Sequence, residues 1–566
     1  MGVINLKKLP KGISNYEELV TEGYYYVDKT KYIEKLENLE DKRIMFLRPR
    51  KFGKTLFTSV LENYYDLLKI DKFGALFGET YIGKNPTKNK NSYHILKFNF
   101  SGINTETVES TMNGFKKEVE SSIKLFVDRY GLDFYINIDD DAENILNNLF
   151  KAFYIQKSSE KIYVIIDEYD HFANELLSFH TEDFKNLVSK NGRVRKWYEI
   201  LKKGTESVVD RIFITGVAPI TLDSLTSGFN ISKDITRDQQ FNGMCGFTQE
   251  EVIELMNSQS ISKQKQEKLL PIMKANYDGY KFSLHAETQM YNSNMCLYLL
   301  SDYVRLGQMP ESLIDVNIAS DYSKLSHMLS TCHGEEKRKI IEKTISGEGI
   351  TSPITDKFNP EIGFGDQEMI SMLFYLGYLT IAGEEFGYPN LKIPNHVMKE
   401  LYAEYFLEGI EKELEFRVSG IEYSEMTKEL ATAGKIDKVL ETLKKYLHNL
   451  SNRDYIKFDE KYVKILFYSI VMNLKNLYTV KSEYEVEGEY PDILLIPRDR
   501  TKGYHSVMIE FKYLKKAEAN LLEAKQTEAK KQIEKYSKYD EMQDIENLHK
   551  YTVVAVVDEI YVEKID

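Results

Sequence analysis

Ile44-Met45-Phe46-Leu47-Arg48-Pro49-Arg50-Lys51-Phe52-Gly53-Lys54-Thr55 is the stretch that decides the fold. Ile44 to Leu47 reads as a buried strand and Arg48 to Phe52 as a loop. Lys54 to Leu68 reads as a helix, with Leu56, Val60, Leu61, Tyr64, Leu67 and Leu68 near helical spacing. Strand, loop, Gly-Lys-Thr and helix is the order of a phosphate-binding loop. Gly53 lets backbone amides approach phosphates, Lys54 can reach the β- and γ-phosphates, and the Thr55 hydroxyl can ligate Mg²⁺. Arg48 stands where the motif wants its first glycine. Gly-Lys-Thr by itself also begins ordinary helices, so the rest of the chain has to carry the reading. Arg50 can neutralise phosphate charge or act between subunits.

Two more apolar strands follow. Lys161 to Ile166 ends in Asp167-Glu168-Tyr169-Asp170, and Arg211 to Ile214 ends in Thr215-Gly216. Asp167 is the candidate to hold Mg²⁺ through water, and Glu168 the candidate to polarise the attacking water. Thr215 is the candidate to sense the γ-phosphate. Strands separated by helical stretches predict an α/β, doubly wound parallel sheet flanked by helices. Ligands bind such sheets at the carboxyl ends of the strands, where Lys54, Asp167 and Thr215 fall. Asp28 reads as a cap through Lys29-Thr30, with contact to a base as the alternative.

A second constellation lies near the C-terminus. Asp492 sits in Tyr490-Pro491-Asp492-Ile493-Leu494-Leu495, and Glu510 and Lys512 sit in Val507-Met508-Ile509-Glu510-Phe511-Lys512. Residues two apart on a strand share a face, so Glu510 and Lys512 point together. A hairpin centred near Thr501 puts Asp492 opposite Glu510; a slip of one residue would turn it away. Two carboxylates suit Mg²⁺ or Mn²⁺, and a lysine beside them can orient water or stabilise a negative transition state. A Glu-x-Lys pair alone is common on surface hairpins. Around it, Glu460 to Thr479 reads as a helix, and 482–487, 492–497 and 505–513 as strands. Ala517 to Tyr539 reads as a charged helix and Tyr551 to Val557 as a last strand.

Composition bounds the rest. A chain of 566 residues is too long for one core, and 42% hydrophobic content is ample for globular packing. The net charge of -13 excludes a uniformly basic nucleic-acid binder, so any such contact needs a local basic surface. Lysines of the 517–539 helix alternate with glutamates and read as helix support. Cys245, Cys296 and Cys332 are scattered without metal or disulfide spacing, which fits a reducing cytoplasm. No signal-like or membrane-spanning apolar run is read in the sequence, so no membrane partner is expected.

The chain resembles the bacterial AAA-ATPase-like family that carries a C-terminal PD-(D/E)XK nuclease-type domain. The matching segments are Leu9 to Ile13, Tyr24 to Thr30, Arg48 to Thr55, Ile214 to Ile220 and Gly246-Phe247-Thr248. Tyr277 to Phe282, Leu376 to Leu379 and Ile393-Pro394-Asn395 continue the series. The resemblance implies that Arg48 is a family trait and that the N-terminal domain binds ATP or GTP. The helix, three strands, helix, strand order is that of a restriction-endonuclease-like core. By the same resemblance Gln532 and Tyr536 match a Gln-x-x-x-Tyr pair that supports DNA or the metal site. Glu460 matches a helix acid that can reach the metal, Glu485 another recurrent acid, and the Phe511 carbonyl a further ligand. Many relatives have Gly-Arg where this chain has Glu489-Tyr490.

The expected organisation is an AAA-type nucleotide domain at 1–245, a helical lid and connector at 246–450, and a nuclease-like αβββαβ domain at 451–566. The expected cofactors are ATP and Mg²⁺ or Mn²⁺. The expected partners are a nucleotide, DNA and other copies of the chain in a homo-oligomer. The expected function is ATP binding and hydrolysis coupled to phosphodiester cleavage. The alternative is a nucleotide switch, or a protein-remodelling ATPase, whose nuclease-like domain serves binding or assembly.

Overall fold

The computed structural model describes residues 7–171, 193–219, 231–310, 312–314, 335–356, 358, 365–451, 459–482 and 491–565. Cys332, Glu485, Glu489 and Tyr490 lie outside the described residues. The chain divides into two compact units, one of residues 1–337 with 349–397, the other of 338–348 with 398–566.

In the first unit β1 (Arg43–Leu47), β2 (His94–Asn99), β3 (Ile162–Asp167), β4 (Val209–Gly216) and β5 (Lys233–Asp234) form a sheet ordered β2-β3-β4-β1-β5. Every pairing is parallel. Parallel strands need helical crossovers, which cover both faces, so near-continuous apolar runs are what such strands require. Ile162 to Asp167 is buried throughout, as is Ile44 to Leu47. Helices Lys54–Tyr65, Val108–Tyr130, Ala142–Gln156 and Arg193–Gly204 flank the sheet. Trp197 is fully buried and meets Phe98, Phe100 and Phe115 edge-on.

Strand order places the ends. β4 lies between β1 and β3, with Leu47 opposite Gly216 and Ile166 opposite Ile214. The loop after β1 and the acids after β3 therefore emerge at one edge of the sheet, on either side of β4. Such a crevice is the usual ligand position in an open α/β sheet.

The middle of the chain is mostly helical, with helices such as Gln249–Ser258, Lys263–Tyr277, Ser293–Leu306 and Asp437–Ser451. It also holds a sheet where the sequence reading expects a helical connector. β6 (Ile350–Thr351), β7 (Thr380–Glu385) and β8 (Tyr388–Lys392) form an antiparallel sheet ordered β6-β8-β7. Phe386 and Gly387, at φ 52° and 84°, make the two-residue turn. Glu384 and Glu385 interrupt the apolar alternation and hide the strand from a periodicity reading.

In the second unit β9 (Tyr478–Lys481), β10 (Ile493–Pro497), β11 (Ser506–Leu514), β12 (Leu548–Val556) and β13 (Glu559–Ile565) form a mixed sheet ordered β13-β12-β11-β10-β9. Only β11–β12 is parallel, crossed over by helix Leu522–Tyr536. Several elements differ from the sequence reading. Of the strand read at 482–487, residues 483–487 lie outside the described residues, and β9 ends at Lys481; β13 adds a strand to the expected αβββαβ order. Helix Glu460–Val471 stops well short of Thr479: Met472–Leu474 tightens into a 3₁₀ turn, and Tyr478 and Thr479 belong to β9. The charged helix is shorter too, since Lys516–Leu521 forms a 3₁₀ turn before it.

Candidate functional site

The phosphate-type loop is shaped by two left-handed residues, Lys51 at φ 67° and Gly53 at φ 94°. Gly53 is the N-cap of helix Lys54–Tyr65, and that backbone angle is one a side chain strains to adopt. Backbone N–H groups at such a turn and helix start make an anion-binding concavity. The loop is held from behind. Gly246 N–H donates to Phe52 O at 2.9 Å, Ser293 Oγ donates to Lys51 O at 3.2 Å, and Asn294 N–H donates to Lys51 O at 3.2 Å. The Phe52 ring packs edge-on against Tyr280 and Phe282.

Arg48 explains its own departure from the motif. It is almost fully buried, and its guanidinium donates to the carbonyls of Leu47 at 2.8 Å, Thr236 at 2.7 Å and Phe241 at 2.9 Å. It lies over the rings of Phe46 and Phe282 at 4.3 and 4.1 Å. Burial pushes its pKa down to about 9, which leaves it charged at neutral pH. Arg48 braces the loop from beneath and does not face a phosphate.

Several recurrent segments converge on this brace. A Cβ on Gly377 would stand 2.8 Å from Pro49 Cβ, and one on Gly279 would stand 2.0 Å from Pro394 O. Asn395 Nδ2 donates to Asp278 O at 2.8 Å. Tyr277 to Phe282, Leu376 to Leu379 and Pro394-Asn395 therefore form the backing of the loop.

Lys54 is buried, with Nζ 3.3 Å from Pro49 O and 3.6 Å from Glu168 Oε1. Glu168 is held at φ 52°, a strained angle for a non-glycine residue. Burial works to raise its pKa, but Lys54, then Arg50 and His171, hold it below the ordinary value. Arg50 Nη2 lies 3.3 Å from His171 Nδ1. Asp167 is fully buried, and neither carboxylate oxygen has a hydrogen-bond partner among the described residues. Burial, then Glu168, raises its pKa; Lys54 and the nearby Thr55 hydroxyl act in the other direction, although Thr55 lacks full hydrogen-bond geometry. An orphaned buried carboxylate beside Thr55 fits a hydrated Mg²⁺ at this place.

A cavity of about 500 Å³ opens over the loop, and Arg50 to Thr55, Glu168 and His171 are among the residues that line it. Ile13, Tyr25, Val27, Phe247 and Leu297 supply an apolar wall. Polar anchors beside an apolar wall, in that size range, suit a small organic ligand with an anionic end. Thr215 is not brought to this cavity. Its hydroxyl donates to Phe46 O at 2.8 Å and it is fully buried, so the adjacent strand claims the group read as a sensor. Asp167 is not among the residues that line the cavity. Asp28 caps: Oδ1 accepts from Thr30 N at 2.8 Å and Oδ2 from Tyr81 N at 2.6 Å.

The second group forms where β10 meets β11. Ile493 stands opposite Ile509 and Leu494 opposite Met508, which is the register centred on Thr501. Asp492 immediately precedes β10, and its Oδ2 accepts from Phe511 N–H at 2.8 Å. Glu510 and Lys512 are both buried and paired at 2.8 Å through Oε1. Glu510 Oε2 has no partner among the described residues. Burial, then the Asp492 charge, raises the Glu510 pKa to about 7 against the pull of Lys512.

Glu460 does not join them. It pairs with Lys464 at 3.0 Å, and Lys464 in turn reaches Asp492 Oδ1 at 2.7 Å. Burial disfavours the Lys464 charge, but Asp492 and Glu460 hold its pKa above the ordinary value. Among the described residues no three acidic, histidine or cysteine side chains gather closely enough to hold an ion by themselves. Mg²⁺ characteristically keeps several waters and takes one or two carboxylates. Asp492 with the orphaned Glu510 Oε2 fits that pattern. Tyr536 is buried with Leu494, Met508 and Ile533 in the core beneath, and Gln532 Oε1 is buried without a partner among the described residues.

Residues 10–226 match the family model described as a predicted AAA-ATPase, AAA-ATPase-like, and residues 458–564 match that of the PD-(D/E)XK nuclease superfamily. The chain carries both domains. A protein of Azotobacter chroococcum mcd 1, described as an uncharacterized protein in the vnfD 5' region, is similar. It is 23% identical over 429 residues, 71% of this chain and 71% of that protein. No helix among the described residues is long and apolar enough to cross a membrane.

Within the AAA-ATPase-like domain, sequence reasoning missed His171. Its signal was its place one residue past the acidic run Asp167 to Asp170. Within the nuclease-superfamily domain it missed Lys464. The signal was helical spacing: Lys464 lies one turn beyond Glu460 on the same face.

Proposed function

We propose that the protein binds and hydrolyses ATP in its N-terminal domain and hydrolyses phosphodiesters, first of all in DNA, at Asp492, Glu510 and Lys512. The observation that carries the reading is the buried Glu510, with one oxygen on Lys512 and the other without a partner among the described residues, beside Asp492. A divalent ion bound there would supply an activated water and neutralise developing phosphate charge. Phe511 N–H fixes the orientation of Asp492. Lys512 holds Glu510 in place and presents its ammonium to an oxyanion formed alongside.

In the N-terminal domain, Lys54 would leave Glu168 for the nucleotide's phosphates, and Glu168 would then be able to orient water. Asp167 would hold Mg²⁺ through its shell. The apolar wall would take the base. Arg50 and His171 would set the charge around Glu168.

The test is cleavage by the full chain of single- and double-stranded DNA and RNA, with Mg²⁺ or Mn²⁺, with and without ATP. Glu510→Ala and Lys512→Ala are each expected to reduce cleavage by about 100-fold or more. Cleavage that survives both substitutions removes these residues from the reaction.

A further inference from the structure

Lys464 stands at the oxygen a metal would need. Its Nζ lies 2.7 Å from Asp492 Oδ1 and 3.0 Å from Glu460 Oε1. The other Asp492 oxygen is fixed independently by Phe511 N–H at 2.8 Å. The carboxylate therefore keeps its place whether or not the lysine is there. Across the pair of strands, Glu510 gives Oε1 to Lys512 and leaves Oε2, on a residue only 2% exposed, without a partner among the described residues. One acid thus keeps a buried oxygen without a partner among the described residues, while the other has an oxygen covered by an ammonium.

The lysine is placed so that it can move. It borders a groove of about 440 Å³ that Asp492, Tyr468, Ser482 and Phe511 also line. Its side chain is 30% exposed, whereas that of Lys512 is 8% exposed. Glu460, one helical turn away, gives it a second anion to rest on. An ion bound to a carboxylate oxygen at about 2.1 Å would stand within a few ångströms of an ammonium hydrogen-bonded to that same oxygen. Like charges at such a spacing in a partly buried site repel strongly.

We propose that Lys464 is a displaceable internal cation. It covers the Asp492 side of the metal position and must swing toward Glu460 or the groove before a divalent ion binds. This rests on the metal-dependent reading of Asp492 and Glu510. Its consequence is a weakened affinity for the ion, so that the site fills only when ion concentration or an arriving phosphodiester draws the lysine away.

The experiment measures Mn²⁺ binding to the full, nucleotide-free chain by the electron paramagnetic resonance of free Mn²⁺. Wild type, Lys464→Met, Lys464→Gln and Asp492→Asn are compared. Methionine keeps the apolar stem and glutamine a polar tip, so a packing defect in one does not decide the result. The Mn²⁺ lost in Asp492→Asn is expected to bind about tenfold tighter in both Lys464 variants, a modest factor because a partly exposed lysine is screened. Equal or weaker binding in both variants, with wild-type binding still sensitive to Asp492→Asn, overturns the displacement and leaves the metal reading intact. Absence of Asp492-sensitive binding in wild type and both variants overturns the two together.

Discussion

Arg48→Gly restores the residue that a phosphate-binding loop ordinarily carries, and the structure says it will harm the protein. The guanidinium satisfies three buried carbonyls, at Leu47, Thr236 and Phe241, with a longer contact at 3.4 Å to Asn242. Leaving a buried acceptor unsatisfied costs about 1–3 kcal/mol each. Removing a large buried side chain adds a cavity term, and such truncations run to about 3–5 kcal/mol. These terms overlap and the site relaxes, so the expected loss is on the order of 5 kcal/mol. Arg48→Lys keeps the charge but has no planar fork to spread over the separate carbonyls, so it should lose about half as much. The chain has one tryptophan, Trp197, fully buried in this unit, and its fluorescence along a guanidinium gradient reports the unit's unfolding. Affinity for a fluorescent ATP analogue is measured in parallel and should fall as the loop loosens. If Arg48→Gly stays within about 1 kcal/mol of wild type and binds nucleotide as well or better, Arg48 is no brace and the reasoning fails.

Gly216→Ala should also destabilise the first unit, because a Cβ would stand 2.1 Å from Asp170 Oδ1. Asp170 accepts from Val217 N–H and Ala218 N–H, so the clash should disturb the segment after β4 as well. The expected cost is about 1–3 kcal/mol by the Trp197 transition; an unchanged midpoint would show that Asp170 moves aside freely. Glu510 gives a pH signature in the second unit. Its pKa rises from 4.5 to about 7 in the folded state, so its ionisation opposes folding. That penalty is absent below 4.5 and complete above about 7. Metal-free protein should therefore lose on the order of 3 kcal/mol of stability as pH rises through that window. Glu510→Gln should remove the slope, measured by pulsed hydrogen exchange of the β11 strand along a denaturant gradient. A slope that persists in the variant would place its origin elsewhere.

Much of this was legible in the sequence because it depends on near neighbours. Continuous apolar runs mark β1, β3 and β4, and Gly-Lys-Thr marks the helix start. Alternation puts Glu510 and Lys512 on one face, and the hairpin's length sets Asp492 opposite Glu510. Side-chain period and turn length are local, so one strand's sequence carries them. β2, where Lys97 breaks the apolar run, the two-residue β5 and the charged β13 are absent from the sequence reading, as is the small antiparallel sheet.

Tertiary structure alone decided the rest. Arg48 finds two of its three close acceptors 188 and 193 residues away, so no local pattern could reveal that it is a brace. Thr215 looked like a sensor until the adjacent strand took its hydroxyl. Glu460 looked like a metal ligand until Lys464, on the same helix, came between it and Asp492. The sequence by itself determined which groups each strand end and helix turn would offer. Which partner each group meets was decided by the packing, because a buried hydrogen bond or ion pair forms with whatever the fold brings within reach.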